Sequence, residues 1–259
     1  MKTTLCLSAI MAAAYALPSP SPAKCGADSN CELVNINSTM SYRFKSGFEP
    51  GSANHQKQFH PLPARQDNDI ELRVIMGKTM MQWGCDVDVG SAITGTIDDK
   101  CQPNAGCDPT QALEFDVKKW EGESEEPSDA KLKITADGKY YDQDIRDFLK
   151  SVLQMTVTDD SVQVDEQEWV YTPPASGQHW GLPGDHGDCA IKEFPTYVAV
   201  VRFEDENMKD YMEIRAELVE PKENCLAASI LGGIAGAINP LAGKFFSVAK
   251  VVCEAAMAF

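Results

Sequence analysis

The densest group of side chains able to do chemistry is His179-Trp-Gly-Leu-Pro-Gly-Asp185-His186-Gly-Asp188-Cys189. Two imidazoles and two carboxylates this close could hold a zinc ion or share a proton among His179, Asp185, His186 and Asp188. A Gly/Pro loop is also the usual setting for function rather than packing. Against this, no His-Glu-x-x-His or other helix-spaced pair is present. The glycines and prolines leave the ligand geometry open. The competing reading is an exposed loop stapled at Cys189, with that thiol a disulfide half rather than a nucleophile.

Other chemistry is thinly supported. His55 and His60 stand in the polar stretch NHQKQFHPLP, and nothing in the sequence joins them to the second pair. There is no Gly-x-Ser-x-Gly elbow, no dinucleotide fingerprint and no phosphate-binding loop. The 39 acidic residues offer no carboxylate pair that stands out for glycoside hydrolysis. Trp83, Trp120, Trp169 and Trp180 could form a sugar-stacking platform, but tryptophans in or beside strands usually belong to a core. The acidic run EGESEEPSD (121–129) lacks the oxygen-ligand spacing of a calcium loop and reads as a solvated surface. No cofactor is expected.

The elements that would carry these residues belong to a secreted chain. Lys2, the apolar run LCLSAIMAAAYA and the small-x-small triplet Ala14-Tyr15-Ala16 predict a signal peptide over residues 1–16. Its removal leaves eight cysteines: Cys25, Cys31, Cys85, Cys101, Cys107, Cys189, Cys225 and Cys253. An even count in an oxidising compartment implies up to four disulfides. The two Cys-x5-Cys pairs, 25/31 and 101/107, could each close a small loop. Asn37-Ser38-Thr39 is the one glycosylation sequon. The net charge of −16 disfavours nucleic acid and anionic membrane surfaces as direct partners.

Residues 17–65 are irregular, with STMSYRF one candidate strand. An acidic α+β domain is expected over 66–224, mostly antiparallel as a sheet or sandwich. IELRVIM and KTMMQWG read as a hairpin across Gly77. GSAITGTIDD and ALEFDVKKW read as strands. In AKLKITADGKYY, Asp137-Gly138 suits a hairpin turn that needs positive φ. One amphipathic helix is expected over about 142–154, where Ile145, Phe148, Leu149, Val152 and Leu153 keep helical spacing. FPTYVAVVRFE and YMEIRAELVE read as two strands. The alternation of Met212, Ile214, Ala216 and Leu218 with Glu213, Arg215 and Glu217 predicts one buried and one wet face.

The tail 225–259, CLAASILGGIAGAINPLAGKFFSVAKVVCEAAMAF, reads as an apolar helical hairpin broken at Asn239-Pro240. In its first half Ala228, Gly232 and Gly236 form one small-residue ridge, and Ser229, Gly233 and Ala237 another. Such ridges let helices approach closely. Each glycine costs about 1 kcal/mol in an exposed helix, so three of them predict close packing. The second half carries a narrow polar stripe: Lys244, Ser247, Lys250 and Glu254. A Cys225–Cys253 disulfide would bracket the two halves. The late charges and Pro240 argue against a cleaved anchor signal or a permanent span. Gly232, Gly233, Gly236, Phe245 and Phe246 are the candidates for membrane contact or self-association.

At the level of class, leader and cysteines resemble those of secreted, cysteine-containing effector and toxin proteins of fungi, and no motif narrows this to a family. The leading expectation is a non-enzymatic secreted protein acting on another organism's cells or proteins, with a host or target-cell protein or membrane as partner. Homo-oligomers through the tail are a further expectation. The alternatives are a secreted hydrolase, metal-dependent or not, using the 179–188 loop, and an inhibitor of a host extracellular enzyme such as a protease.

Overall fold

The computed structural model describes residues 24–36, 39–55, 70–121, 127–170, 186–218, 222–223, 226–242 and 245–253. The predicted leader, Asn37, His60, His179, Trp180, Asp185 and Cys225 lie outside the described residues.

Two sheets dominate. β3 (Ile70–Met76) and β4 (Thr79–Cys85) follow each other directly but do not form the expected hairpin. They pair instead with the successive strands β11 (Tyr197–Glu204) and β10 (His186–Pro195). The result is one long antiparallel ribbon bent from one sheet into the next. At the bend the Gly77 amide donates to the Tyr197 carbonyl at 2.7 Å and the Thr196 amide to Thr79 at 2.8 Å. A Cβ on Gly77 would lie 3.0 Å from the Tyr197 Cβ, so this glycine serves a close approach. It does not take the left-handed conformation a two-residue hairpin turn requires.

The larger sheet has the order β14-β3-β11-β12-β8-β7, with β7 Leu113–Lys119, β8 Ser128–Lys139, β12 Asn207–Glu217 and β14 Val248–Cys253. All its pairings are antiparallel except β14 with β3. The smaller sheet has the order β13-β4-β10-β9, with β9 Gln163–Val170 and β13 Lys222–Glu223. The α+β, mostly antiparallel expectation therefore holds. Disulfides Cys25–Cys31, Cys85–Cys189 and Cys101–Cys107 staple it. Cys253 is also disulfide-bonded, and its partner lies outside the described residues.

One face of the larger sheet carries the main core. Leu72, Val74, Ile134, Val200, Met212 and Ile214 point into it. Helix α1 (Val89–Lys100) occupies the stretch expected as a strand. Its β-branched residues suggested that strand, but Val89, Ala92, Ile93, Thr96 and Ile97 are the buried set, at helical spacing. Asp88 caps the helix by accepting from the Ser91 amide at 2.8 Å. Thr94 and Thr96 return their hydroxyls to the carbonyls of Gly90 and Ala92. Helix α2 (Gln143–Met155) forms as expected, capped by Asp142 and burying Phe148, Leu149, Val152 and Leu153.

The Asp137-Gly138 turn is likewise corrected, because β8 runs straight through it. Gly138 pairs with Met212. A Cβ there would sit 3.0 Å from Cys107 Sγ, and one on Gly106 would sit 2.4 Å from the Gly138 carbonyl. The glycine lets the small Cys101–Cys107 loop, whose ends pair as β5 (Cys101–Gln102) and β6 (Gly106–Cys107), lie on the strand.

The opposite face is not wet. A ribbon packs there: β2 (Thr39–Phe44) is the strand expected from STMSYRF, and β1 (Cys31–Ile36) pairs with it from the stretch expected to be irregular. Tyr42, Phe44, Ile75, Tyr197, Ala199, Val201, Phe203 and Tyr211 form a second, smaller core beneath it. Charged residues are buried with them: Glu213 is only 1% exposed, and Arg73 4%.

The tail is half as expected. Its first part is helix α3 (Ala228–Ile238), ended by a 3-10 turn at Asn239–Leu241. Within the second part, the stretch Val248–Cys253 is a strand rather than a helix. It forms β14 on the edge of the larger sheet, where Val248, Val251 and Val252 suit a pleated surface. Lys250, taken as part of a helical polar stripe, instead pairs with Glu71 at 3.0 Å.

Candidate functional site

The 179–188 loop is represented by its end. His186 begins β10 opposite Val170 of β9, and Asp188 lies opposite Glu168. Asp188 is exposed. Cys189 is bonded to Cys85, as its reading as a disulfide half required. Among the described residues no group of three or more His, Cys, Asp and Glu side chains could hold a metal ion. Trp83 is core: it is 1% exposed and its indole donates to the Phe194 carbonyl at 3.2 Å. Trp169 covers Gly187, where a Cβ would meet its ring at 2.8 Å.

The densest charged cluster lies where the sequence suggested water. Glu213 accepts from both Nη atoms of Arg43 (2.6 and 3.0 Å), from Arg215 Nε (3.1 Å), from Tyr197 (3.1 Å) and from Ser41. Arg43 also reaches Asp137 at 2.8 Å, and Tyr211 donates to Asp137 at 3.2 Å. Burial pushes the Glu213 carboxyl up, but Arg43 and Arg215 outweigh it and hold the group below the usual range. Burial dominates at Asp137, whose carboxyl is raised despite Arg43. The Tyr197 and Tyr211 hydroxyls are pushed up by burial, so both stay protonated donors. An ionised Glu213 with five donors on it has no proton to give, and the β1–β2 ribbon seals it. The cluster is a lock holding that ribbon to the sheet. The period-two alternation in STMSYRF, which places Ser41 and Arg43 on one side, was its only trace in the sequence.

The tail residues divide into two groups. Phe246 is fully buried, and Phe245 stacks on Phe148 with ring centroids 4.3 Å apart. Both pack within the fold, Phe246 completely and Phe245 in part. With them, Ile234 and Ile238 are buried under α3. The small residues lie on the other side. Ala228, Ser229, Gly232, Gly233, Gly236 and Ala237 are all exposed. A Cβ on any of the three glycines would meet nothing within 4 Å. The close packing expected to offset the glycines is therefore absent within the described residues, and α3 is amphipathic by size: bulky inside, small and uncharged outside. No helix among the described residues is long and apolar enough to cross a membrane.

No family model, curated protein or solved structure matches this chain.

Proposed function

We propose that this is a secreted, non-enzymatic, effector- or toxin-like protein that acts on another organism's cells or proteins through surface contacts. In this reading α3 is the contact element and packs against α3 of a second copy. One observation carries the choice: both small-residue ridges of α3 are exposed, and no described atom lies within 4 Å of a Cβ on any of the three glycines. The leader-like N-terminus and the three disulfides support the extracellular setting.

Self-association is favoured over membrane insertion on physical grounds. An interfacial membrane helix presents bulky apolar side chains to lipid and basic ones to water. Helix α3 turns its bulky side chains inward and carries no charge at all. Eleven residues of helix extend about 16 Å, roughly half a bilayer core. Small ridges instead allow two backbones to come within close van der Waals range, and a two-fold contact would pair each ridge with its own copy. The test is the mass of the purified protein across concentration, run beside a liposome-binding assay between pH 4 and 7. A concentration-dependent dimer supports the reading. Liposome binding without dimer would move the contact to membranes, and a monomer inert toward liposomes would remove α3 from the function.

A further inference from the structure

We propose that the groove around Val87-Asp88 docks a basic, amphipathic peptide segment of a partner protein. Two open clefts meet there. The larger, about 880 Å³, lies between the end of β4, the start of α1 and the edge strand β7, with Val87, Ala92, Phe115, Val117 and Ala130 as its apolar lining. The smaller, about 380 Å³, is lined by Val87, Val89, Val157, Val162 and Val164. Val87 and Asp88 belong to both. Among the described residues only three large apolar side chains are exposed, and Val164, at 48%, is one of them.

The rim decides what fits. Asp86, Asp88, Asp116 and Asp129 edge the larger cleft, and Asp159 edges the smaller. Lys118 is held by Asp129 at 2.8 Å, and Asp116 is paired with Lys131. Among the described residues Lys192 is the one cation lining the smaller cleft. The rim thus keeps an excess of carboxylate beside an apolar floor. A partner with apolar side chains for the two clefts and lysines or arginines between them is complementary to both features. An acidic or neutral apolar segment is complementary to the floor alone. The groove is also held in shape before anything binds. The Cys85–Cys189 bond ends next to Asp86, whose amide donates to the Ala190 carbonyl at 2.9 Å, and Asp88 caps α1. A preformed site reduces the ordering cost of binding. No residue of α3 lines either cleft, so this inference stands apart from the reading of α3.

The probe is a synthetic twelve-residue peptide of alternating lysine and leucine, titrated calorimetrically against the purified protein. Its glutamate/leucine counterpart is the control. The lysine peptide is expected to bind and the glutamate peptide not. Asp86→Asn combined with Asp159→Asn should weaken binding about fivefold at low salt, from two rim contacts at roughly 0.5 kcal/mol each. Asparagine keeps the left-handed backbone at position 86 (φ 57°) accessible. Val164→Asn should also weaken it. Asp205→Asn with Glu206→Gln removes the same charge from the β11–β12 turn and should leave binding unchanged. Equal loss from both acid pairs would reduce the effect to net charge and overturn the site. So would binding of the glutamate peptide, or no binding of the lysine peptide at millimolar concentration.

Discussion

The ribbon β1–β2 and the segment from α3 to Phe246 pack on opposite faces of the six-stranded sheet, with different chemistry. The N-terminal ribbon adds ions to its small apolar core: Arg43 clamps Glu213 and Asp137, and Arg73 holds Glu71 beside Tyr42. The C-terminal segment is seated by apolar surface: Ile234, Ile238 and Phe246 are buried to 0% exposure, and Phe148 stacks with Phe245. An ionic seat is specific, because a buried charge without its partner is costly. An apolar seat asks only for burial, and it leaves the other side of the buried helix unconstrained. That is why α3 can present six small residues to solvent while still belonging to the core.

The contrast can be broken at either end. Phe246→Ala removes a fully buried ring and should cost about 3–5 kcal/mol. Glu213→Ala leaves Arg43 and Arg215 without their shared carboxylate and should cost a similar 3–5 kcal/mol. Urea titration measures both, and acid distinguishes them. The Glu213 carboxyl is held below its ordinary value in the folded state. Its contribution is therefore present above the unfolded value and lost as pH falls through the folded one. The gap between wild type and Glu213→Ala should narrow below about pH 4, and that of Phe246→Ala should not. An equal pH response of the two variants would erase the distinction between the seats.

Asp137 sharpens the ionic side. Its folded value is raised by burial, so proton uptake favours the folded state and the ionised form opposes folding above both values. Asp137→Asn should accordingly change stability at pH 7 by less than about 1 kcal/mol, although it breaks a 2.8 Å pair with Arg43. A loss as large as that of Glu213→Ala would mean the cluster works as one unit. The smallest effect is expected on the outer side of the apolar seat. At a dilution where the protein is monomeric, Gly232→Ala and Gly236→Ala meet no described atom within 4 Å and should each raise stability by about 0.5–1 kcal/mol, through helix propensity. Destabilisation there would show that something packs on that face within the protomer.

Much of the framework was legible where burial follows period. Helix α2 was plain from Ile145 to Leu153, as was the β11–β12 pair. Position 138 misled because glycine has two uses, a turn and a close approach, and only the Cys101–Cys107 loop lying on β8 selects the second. The stretch 89–100 misled because its threonines and isoleucines favour strands while their spacing is helical. The second half of the tail misled because an apolar face with sparse charges suits a helix or an edge strand equally. Lys250 meeting Glu71 across the sheet decides between them. Least legible was the ionic lock. Glu213 and Arg215 alternate with apolar neighbours as a solvated face would, and only the long-range pairing with Ser41 and Arg43 buries them. The groove around Val87 was invisible for the same reason, since its walls come from five separate stretches.

The mass of the purified protein in solution, wild type beside Gly233→Leu, tests the central claim about α3 most directly. A leucine at 233 has room in the folded protomer but would hold two helices apart. The account predicts a concentration-dependent dimer for the wild type, and for Gly233→Leu a monomer whose thermal stability matches that of the wild type diluted to monomer. A wild type that stays monomeric at every concentration, or a Gly233→Leu protein that dimerises equally well, would contradict it.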